Sequence, residues 1–130
     1  MTAATPIISL EQVSKSFSKS RAAPAYVAVD RLDLQVGQGQ LLALLGKTGC
    51  GKSTIFNMIA GLTEPSSGTV TVDGRNPFRD FDSFRGKIAI VFQNDRLLPW
   101  RTAVQNVELG LEMLDMPAKQ RKETAMHWLA

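Results

Sequence analysis

Apolar residues recur along this chain with two different periods, and each period predicts its own kind of element. In the first third, Ile7-Ile8-Ser9-Leu10-Glu11-Gln12-Val13 and Val27 to Val36 combine β-branched content with partial alternation, which predicts two strands. The residues between them, Ser14 to Ala25, are mostly polar, include Pro24, and read as a loop. Leu41-Leu42-Ala43-Leu44-Leu45 and Lys87-Ile88-Ala89-Ile90-Val91-Phe92 are almost continuously apolar and are expected as fully buried strands. The second of these delivers Gln93 at its C-terminal end, the end at which open α/β sheets bind ligands. Thr69-Val70-Thr71-Val72 alternates as a further strand and runs into Asp73-Gly74, so Asp73 is expected in a turn and not on a metal.

Helical spacing takes over elsewhere. A helix beginning near Lys52 and running through Ile55 to Ala60 is expected, about three turns long and closed by a left-handed Gly61. Thr102-Ala103-Val104-Gln105 has the form of a capping box, and Val104, Val107, Leu111 and Leu114 recur on one face of the helix it opens. Pro117 suits the first turn of a last helix, whose Trp128 and Leu129 form an apolar end that asks for a partner.

Between the first apolar run and the first helix lies the chemistry. Gly46-Lys47-Thr48-Gly49-Cys50-Gly51-Lys52-Ser53-Thr54 fills the pattern G-x-x-x-x-G-K-[ST] without a mismatch, in the strand-to-helix setting the pattern requires. Gly46, Gly49 and Gly51 allow backbone conformations and close approaches that side chains would block, so that successive N–H groups, those of Thr48 and Cys50 included, can face an anion. The helix start adds its unpaired N–H groups and the positive end of its dipole. Lys52 is then placed for β- and γ-phosphates, the Ser53 hydroxyl for Mg²⁺, and Thr54 for the α-phosphate.

Composition narrows the rest. With 130 residues, 44% of them hydrophobic, the chain suits one domain with a core. Fifteen basic residues against twelve acidic ones leave a scattered charge of +3, too mild to argue for nucleic acid. The lone Cys50 excludes an internal disulfide; it is either a redox-sensitive thiol or a small residue tolerated where the backbone binds. Met1 to Pro6 lacks the basic and apolar regions of a signal peptide, so a cytoplasmic location is expected. No apolar run approaches the roughly eighteen residues that span a bilayer, so membrane association is expected through a partner and not by direct insertion.

The phosphate-loop motif, together with Ile59-Ala60-Gly61-Leu62, Pro65-Ser66-Ser67-Gly68-Thr69-Val70, Val91-Phe92-Gln93 and Leu97-Leu98-Pro99-Trp100-Arg101-Thr102, closely resembles the ATP-binding subunit of ABC transporters over nearly the whole chain. The Leu-Leu-Pro-Trp segment most resembles the importer branch for nitrate, aliphatic sulfonates and taurine, or the related riboflavin- and pyrimidine-precursor systems. The resemblance implies an α/β fold over 1–130: an incomplete, partly parallel P-loop core, an antiparallel β-subdomain, and the start of a helical subdomain from about 102. It implies ATP and Mg²⁺ as cofactors, with Gln93 as the Q-loop glutamine that touches Mg²⁺ and orients water. It implies an aromatic ring on adenine, either Phe17 or its rival Tyr26. Its partners are a transmembrane permease and a second ATP-binding subunit, which would hold the protein peripherally on the inner face of the membrane. Arg96 to Arg101 either faces the permease or is a solvated loop with one buried Trp100.

The same resemblance implies a Leu-Ser-Gly-Gly-Gln-type signature, a strand ending in Asp-Glu and a switch histidine, and none of these stands in the 130 residues. His127, the one histidine, is expected on a helix surface. The expectation is an N-terminal portion of such a subunit that binds nucleotide with negligible turnover.

Overall fold

The computed structural model describes residues 5–18 and 24–130, so the polar loop expected at Ser14 to Ala25 lies partly outside the described residues. Two compact units, Met1–Ser83 and Phe84–Ala130, divide the chain.

In the first unit, β1 (Ile8–Phe17), β2 (Tyr26–Val36) and β3 (Ser67–Val72) form an antiparallel sheet in the order β2-β1-β3. The imperfect alternation of β1 has a physical cause. Gln12 and Arg31 take φ values of 49° and 43°, and the β1–β2 register shifts between Leu10 and Val13. This bulge turns Leu10 and Val13, three residues apart, to the same buried side. Asp33 fastens it, one carboxylate oxygen accepting from the Gln12 backbone N–H at 2.8 Å and the other from the Gln12 side-chain amide.

The helix α1 (Lys52–Ile59) lays Met58 against that buried face, with Leu10, Val13, Val29 and Val70 completing the core and Ile55 and Ile59 at its border. The helix has eight residues, about two turns and not three. It stops at Gly61 as expected: Gly61 has φ 72°, its N–H donates to Met58 O, and the Leu62 N–H donates to Asn57 O at 2.8 Å. That pairing satisfies the last carbonyls early and ends the helix. Asp73 sits at φ 49° in a turn with Gly74, as its context predicts.

The second unit holds α2 (Ala103–Met113) and α3 (Ala118–Leu129), joined through a turn and packed around Ala125, which is fully buried. The capping box at Thr102 is present: the Thr102 hydroxyl accepts from the Gln105 N–H, and the Gln105 side chain accepts from the Thr102 N–H at 2.9 Å. Pro117 occupies the cap of α3. Arg85 donates to the Met113 carbonyl and pairs with Asp115 at 3.1 Å, tying the start of this unit to the end of α2.

Two expected strands do not form. Residues 41–45 and 87–92 are irregular, and Leu41 and Val91 are both 99% exposed. A strand buried in a parallel sheet exists only with hydrogen-bonded neighbours, and no strand among the described residues pairs with either segment. Their apolar composition therefore reports a burial that this sheet does not supply.

Candidate functional site

The site is built at the N-terminus of α1. Gly51 caps the helix at φ 94°, ψ 0°, with no side chain to offer its N–H groups, and no acidic residue lies in the first turn. The first helical hydrogen bond is Ile55 N–H to Gly51 O at 3.0 Å, so the N–H groups of Lys52, Ser53 and Thr54 have no acceptor within the helix. The positive end of the dipole is left bare.

The loop closes around one cation. Lys52 Nζ donates to Gly46 O at 2.6 Å and to Lys47 O at 2.8 Å, and lies 3.4 Å from Cys50 Sγ. The Cys50 N–H also reaches Lys47 O, at 3.3 Å. Cys50 Sγ folds back so far that a Cβ on Gly46 would stand 2.6 Å from it. Thr48 and Ser53 are exposed, and Thr54 is half-buried. A fixed ammonium beside uncapped N–H groups is the donor set an extended polyphosphate needs.

The N-terminal end of β2 forms a wall for this loop. Tyr26 Oη donates to Gly49 O at 2.8 Å. Two residues on, the Ala28 carbonyl approaches so closely that a Cβ on Gly51 would stand 2.3 Å from its oxygen. Tyr26 is also the cross-strand partner of Phe17, so the two rival aromatics stand at the same end of one ladder. Phe17 is 46% exposed and Lys15 Nζ lies 5.2 Å from its ring centroid.

Thus residues 46–54, Phe17 and Tyr26 belong to one constellation, whereas Gln93 belongs to the second unit. Gln93 is exposed in an irregular segment, and the strand expected to deliver it is absent. Nearby, Arg96 lies over the Phe92 ring at 5.1 Å. Residues 98–102 are held by a side chain that sequence reasoning did not single out. Asn106 accepts from the Leu98 N–H at 2.7 Å and donates to the carbonyls of Leu98, Arg101 and Thr102 at 3.2, 3.2 and 3.0 Å. Its signal in the sequence is an Asn one residue past a capping box, where it can turn back on the preceding loop. Trp100 is 76% exposed, which corrects the alternative of a loop with a buried Trp. Arg101 pairs with Glu112 at 2.9 Å, and its hydrogen bond and charge hold that carboxyl below its ordinary value. His127 is exposed on α3 with its ring against Trp128. Among the described residues no three His, Cys, Asp or Glu side chains gather in a metal-binding cluster, and no helix is long and apolar enough to cross a membrane.

A glycine-capped helix start that encloses a lysine, walled by an antiparallel sheet, is the arrangement of a P-loop protein. The ABC transporter family model matches residues 29–130, and the chain belongs to that family, as part of its ATP-binding domain. It is 45% identical over 102 residues to the taurine import ATP-binding protein TauB of Yersinia pestis bv. Antiqua (strain Antiqua), a match covering 78% of this chain and 38% of that protein. It is 39% identical over 117 residues to the spermidine/putrescine import ATP-binding protein PotA of Thermobifida fusca (strain YX), covering 90% of this chain and 30% of that protein. Among solved structures, the ATP-binding cassette MJ0796, a dimer in a post-hydrolysis state bound to ADP and Pi, superposes with a TM-score of 0.80 at 29% identity. That superposition covers 92% of this chain and 54% of the cassette chain. The chain therefore spans less than half the length of these curated relatives, and the fold is an incomplete P-loop ATPase core.

Proposed function

We propose that this chain is the N-terminal portion of the ATP-binding component of an ABC importer, and that residues 46–54 bind the polyphosphate of ATP. The observation that carries the reading is the Lys52 ammonium held at the uncapped start of α1. The N–H groups of Gly51 to Thr54 and the Lys52 charge bind and orient the phosphates, with Gly46, Thr48, Gly49 and Cys50 supplying the loop backbone. Ser53 would hold Mg²⁺ through its hydroxyl oxygen, and the family resemblance gives Gln93 a neutral amide oxygen of the same kind, since hard cations accept neutral oxygen donors. Bound Mg²⁺ supplies neutralisation of phosphate charge. Phe17 is the adenine-stacking ring, because the Tyr26 hydroxyl is engaged on Gly49 while the exposed Phe17 ring has no polar group to satisfy.

The TauB-type relatives, those of Yersinia pestis and Pseudomonas entomophila among them, favour an importer for taurine or a related small sulfonate. The component acts as one of a pair of ATP-binding subunits, peripheral on the cytoplasmic side of a permease, and the exposed Trp100 in its clamped segment is the contact toward that permease. Phosphoryl transfer in this class needs a Mg²⁺-holding carboxylate and a closing loop from a second subunit, so residues 1–130 bind nucleotide without turnover.

Calorimetric titration of MgATP into the 130-residue chain tests the reading. Binding is expected for the wild type and about 10- to 100-fold weaker for Lys52→Ala, the scale of a lost charge-assisted hydrogen bond. Equal affinities would remove the loop from the argument. Phosphate release above the Lys52→Ala background would refute the absence of turnover.

A further inference from the structure

The Tyr26 hydroxyl has a partner that neither adenine stacking nor sheet pairing accounts for. It donates at 2.8 Å to Gly49 O, inside the loop, from a residue 58% exposed at the mouth of the β1–β2 ladder. A peptide is planar and trans, so its carbonyl and the following N–H point in opposite directions. Holding the Gly49 carbonyl toward Tyr26 turns the Cys50 N–H the other way. There it meets Lys47 O at 3.3 Å, the same oxygen on which Lys52 Nζ rests at 2.8 Å. The Cys50 N–H and the Lys52 ammonium therefore converge on one point of the loop interior.

Gly49 cannot hold this orientation by itself. It has φ 83°, and a Cβ built on it would meet nothing within 4 Å, so neither its own backbone preference nor packing around it fixes the plane. Gly51, the next glycine, is already braced by the Ala28 carbonyl of the same strand. Tyr26 and Ala28 thus hold two consecutive points of the loop from one side of β2.

We propose that Tyr26 is a positioning residue for phosphate binding: its hydroxyl sets the Gly49–Cys50 peptide so that the N–H faces the loop interior, where it shares Lys47 O with the Lys52 ammonium until a polyphosphate takes that carbonyl's place, and its ring takes no part in base recognition. The inference rests on the reading of residues 46–54 as a polyphosphate site and adds a residue to it from outside the loop.

The test titrates MgATP and inorganic pyrophosphate into the full 130-residue chain as wild type, Tyr26→Phe and Tyr26→Ala, with the melting temperature measured for each. Loss of one hydrogen bond weakens binding by about three- to tenfold. Tyr26→Phe is expected to weaken ATP and pyrophosphate by the same factor within that range, because the missing hydroxyl acts on phosphate alone. Tyr26→Ala is expected to add little to it. Unchanged affinities in Tyr26→Phe, with or without a lower melting temperature, overturn the positioning role. So does a loss in Tyr26→Ala confined to ATP, which marks a stacking ring. Failure of the wild type to bind either probe, by contrast, overturns the polyphosphate reading and this proposal with it.

Discussion

Replacing Gly51 and Gly49 by alanine, one at a time and without nucleotide, isolates the contact between β2 and the loop. Both glycines lie in the left-handed region, at φ 94° and 83°. Any L-residue there costs about 1–2 kcal/mol in backbone strain, so this part of the penalty is shared. The surroundings differ. At Gly49 an added Cβ meets open space, and the expected loss stays near about 1–2 kcal/mol. At Gly51 the Cβ would stand 2.3 Å from the Ala28 carbonyl oxygen and 3.3 Å from both its carbonyl carbon and Val29 Cγ2. Ordinary contact distances require a shift of roughly 1 Å. Ala28 cannot give way alone, because its neighbour Val29 is paired with Lys15 and buried in the core. Overpacking of this kind adds about 1–3 kcal/mol, bringing the total for Gly51→Ala to roughly 2–5 kcal/mol. Against a total stability of about 5–15 kcal/mol for a folded domain, that is a large share. Urea unfolding followed by far-ultraviolet circular dichroism reads the difference directly. If the two variants unfold within about 0.5 kcal/mol of each other, the spread of an ordinary surface substitution, the close approach of Ala28 is not a feature of the folded chain.

Two further outcomes concern the second unit. Thr102→Ala removes the hydroxyl that caps α2 and is expected to lower stability by about 1 kcal/mol, with Thr102→Ser retaining most of it in the same urea titration. The Glu112 carboxyl titrates below its unfolded value, so its pair with Arg101 stabilises fully above about pH 4.3 and is lost as pH falls through the lowered folded value. The stability difference between wild type and Glu112→Gln is therefore expected at neutral pH, to disappear in acid, and to shrink in molar salt because both side chains are partly exposed. A difference that persists at pH values below the carboxylate range would exclude the ion pair as its source.

The elements legible in the sequence were those whose signals are local. The capping box at Thr102, the left-handed Gly61 and the Asp73-Gly74 turn each depend on a few adjacent residues, and each is found where its chemistry places it. The glycine start of α1 at Gly51 is local in the same way. Segments 41–45 and 87–92 do not become the expected strands because an apolar run states only that it needs burial; whether it becomes a strand depends on neighbours that the run does not encode. The contacts of Tyr26 and Asn106 are illegible in a different way. A tyrosine hydroxyl reaching a carbonyl 23 positions along, or an amide serving three carbonyls and an N–H, leaves no periodic trace. Even the alternation of β1 was blurred by one inserted residue at Gln12, which changes the spacing of buried positions from two to three.

Asn106 also has a mechanical meaning. Its amide is fixed to α2 by the helix and to residues 98–102 by its hydrogen bonds, which leaves the intervening turn without slack. The eleven residues of α2 make a rod about 16 Å long. Tilting that rod by ~10° about its far end, seven residues from Asn106, moves Asn106 through about 2 Å. Trp100, gripped between Leu98 and Arg101, has to travel with it as one piece. Force applied at the indole is carried into the helix axis over the same linkage, so the turn and α2 behave as a crank with its handle in solvent.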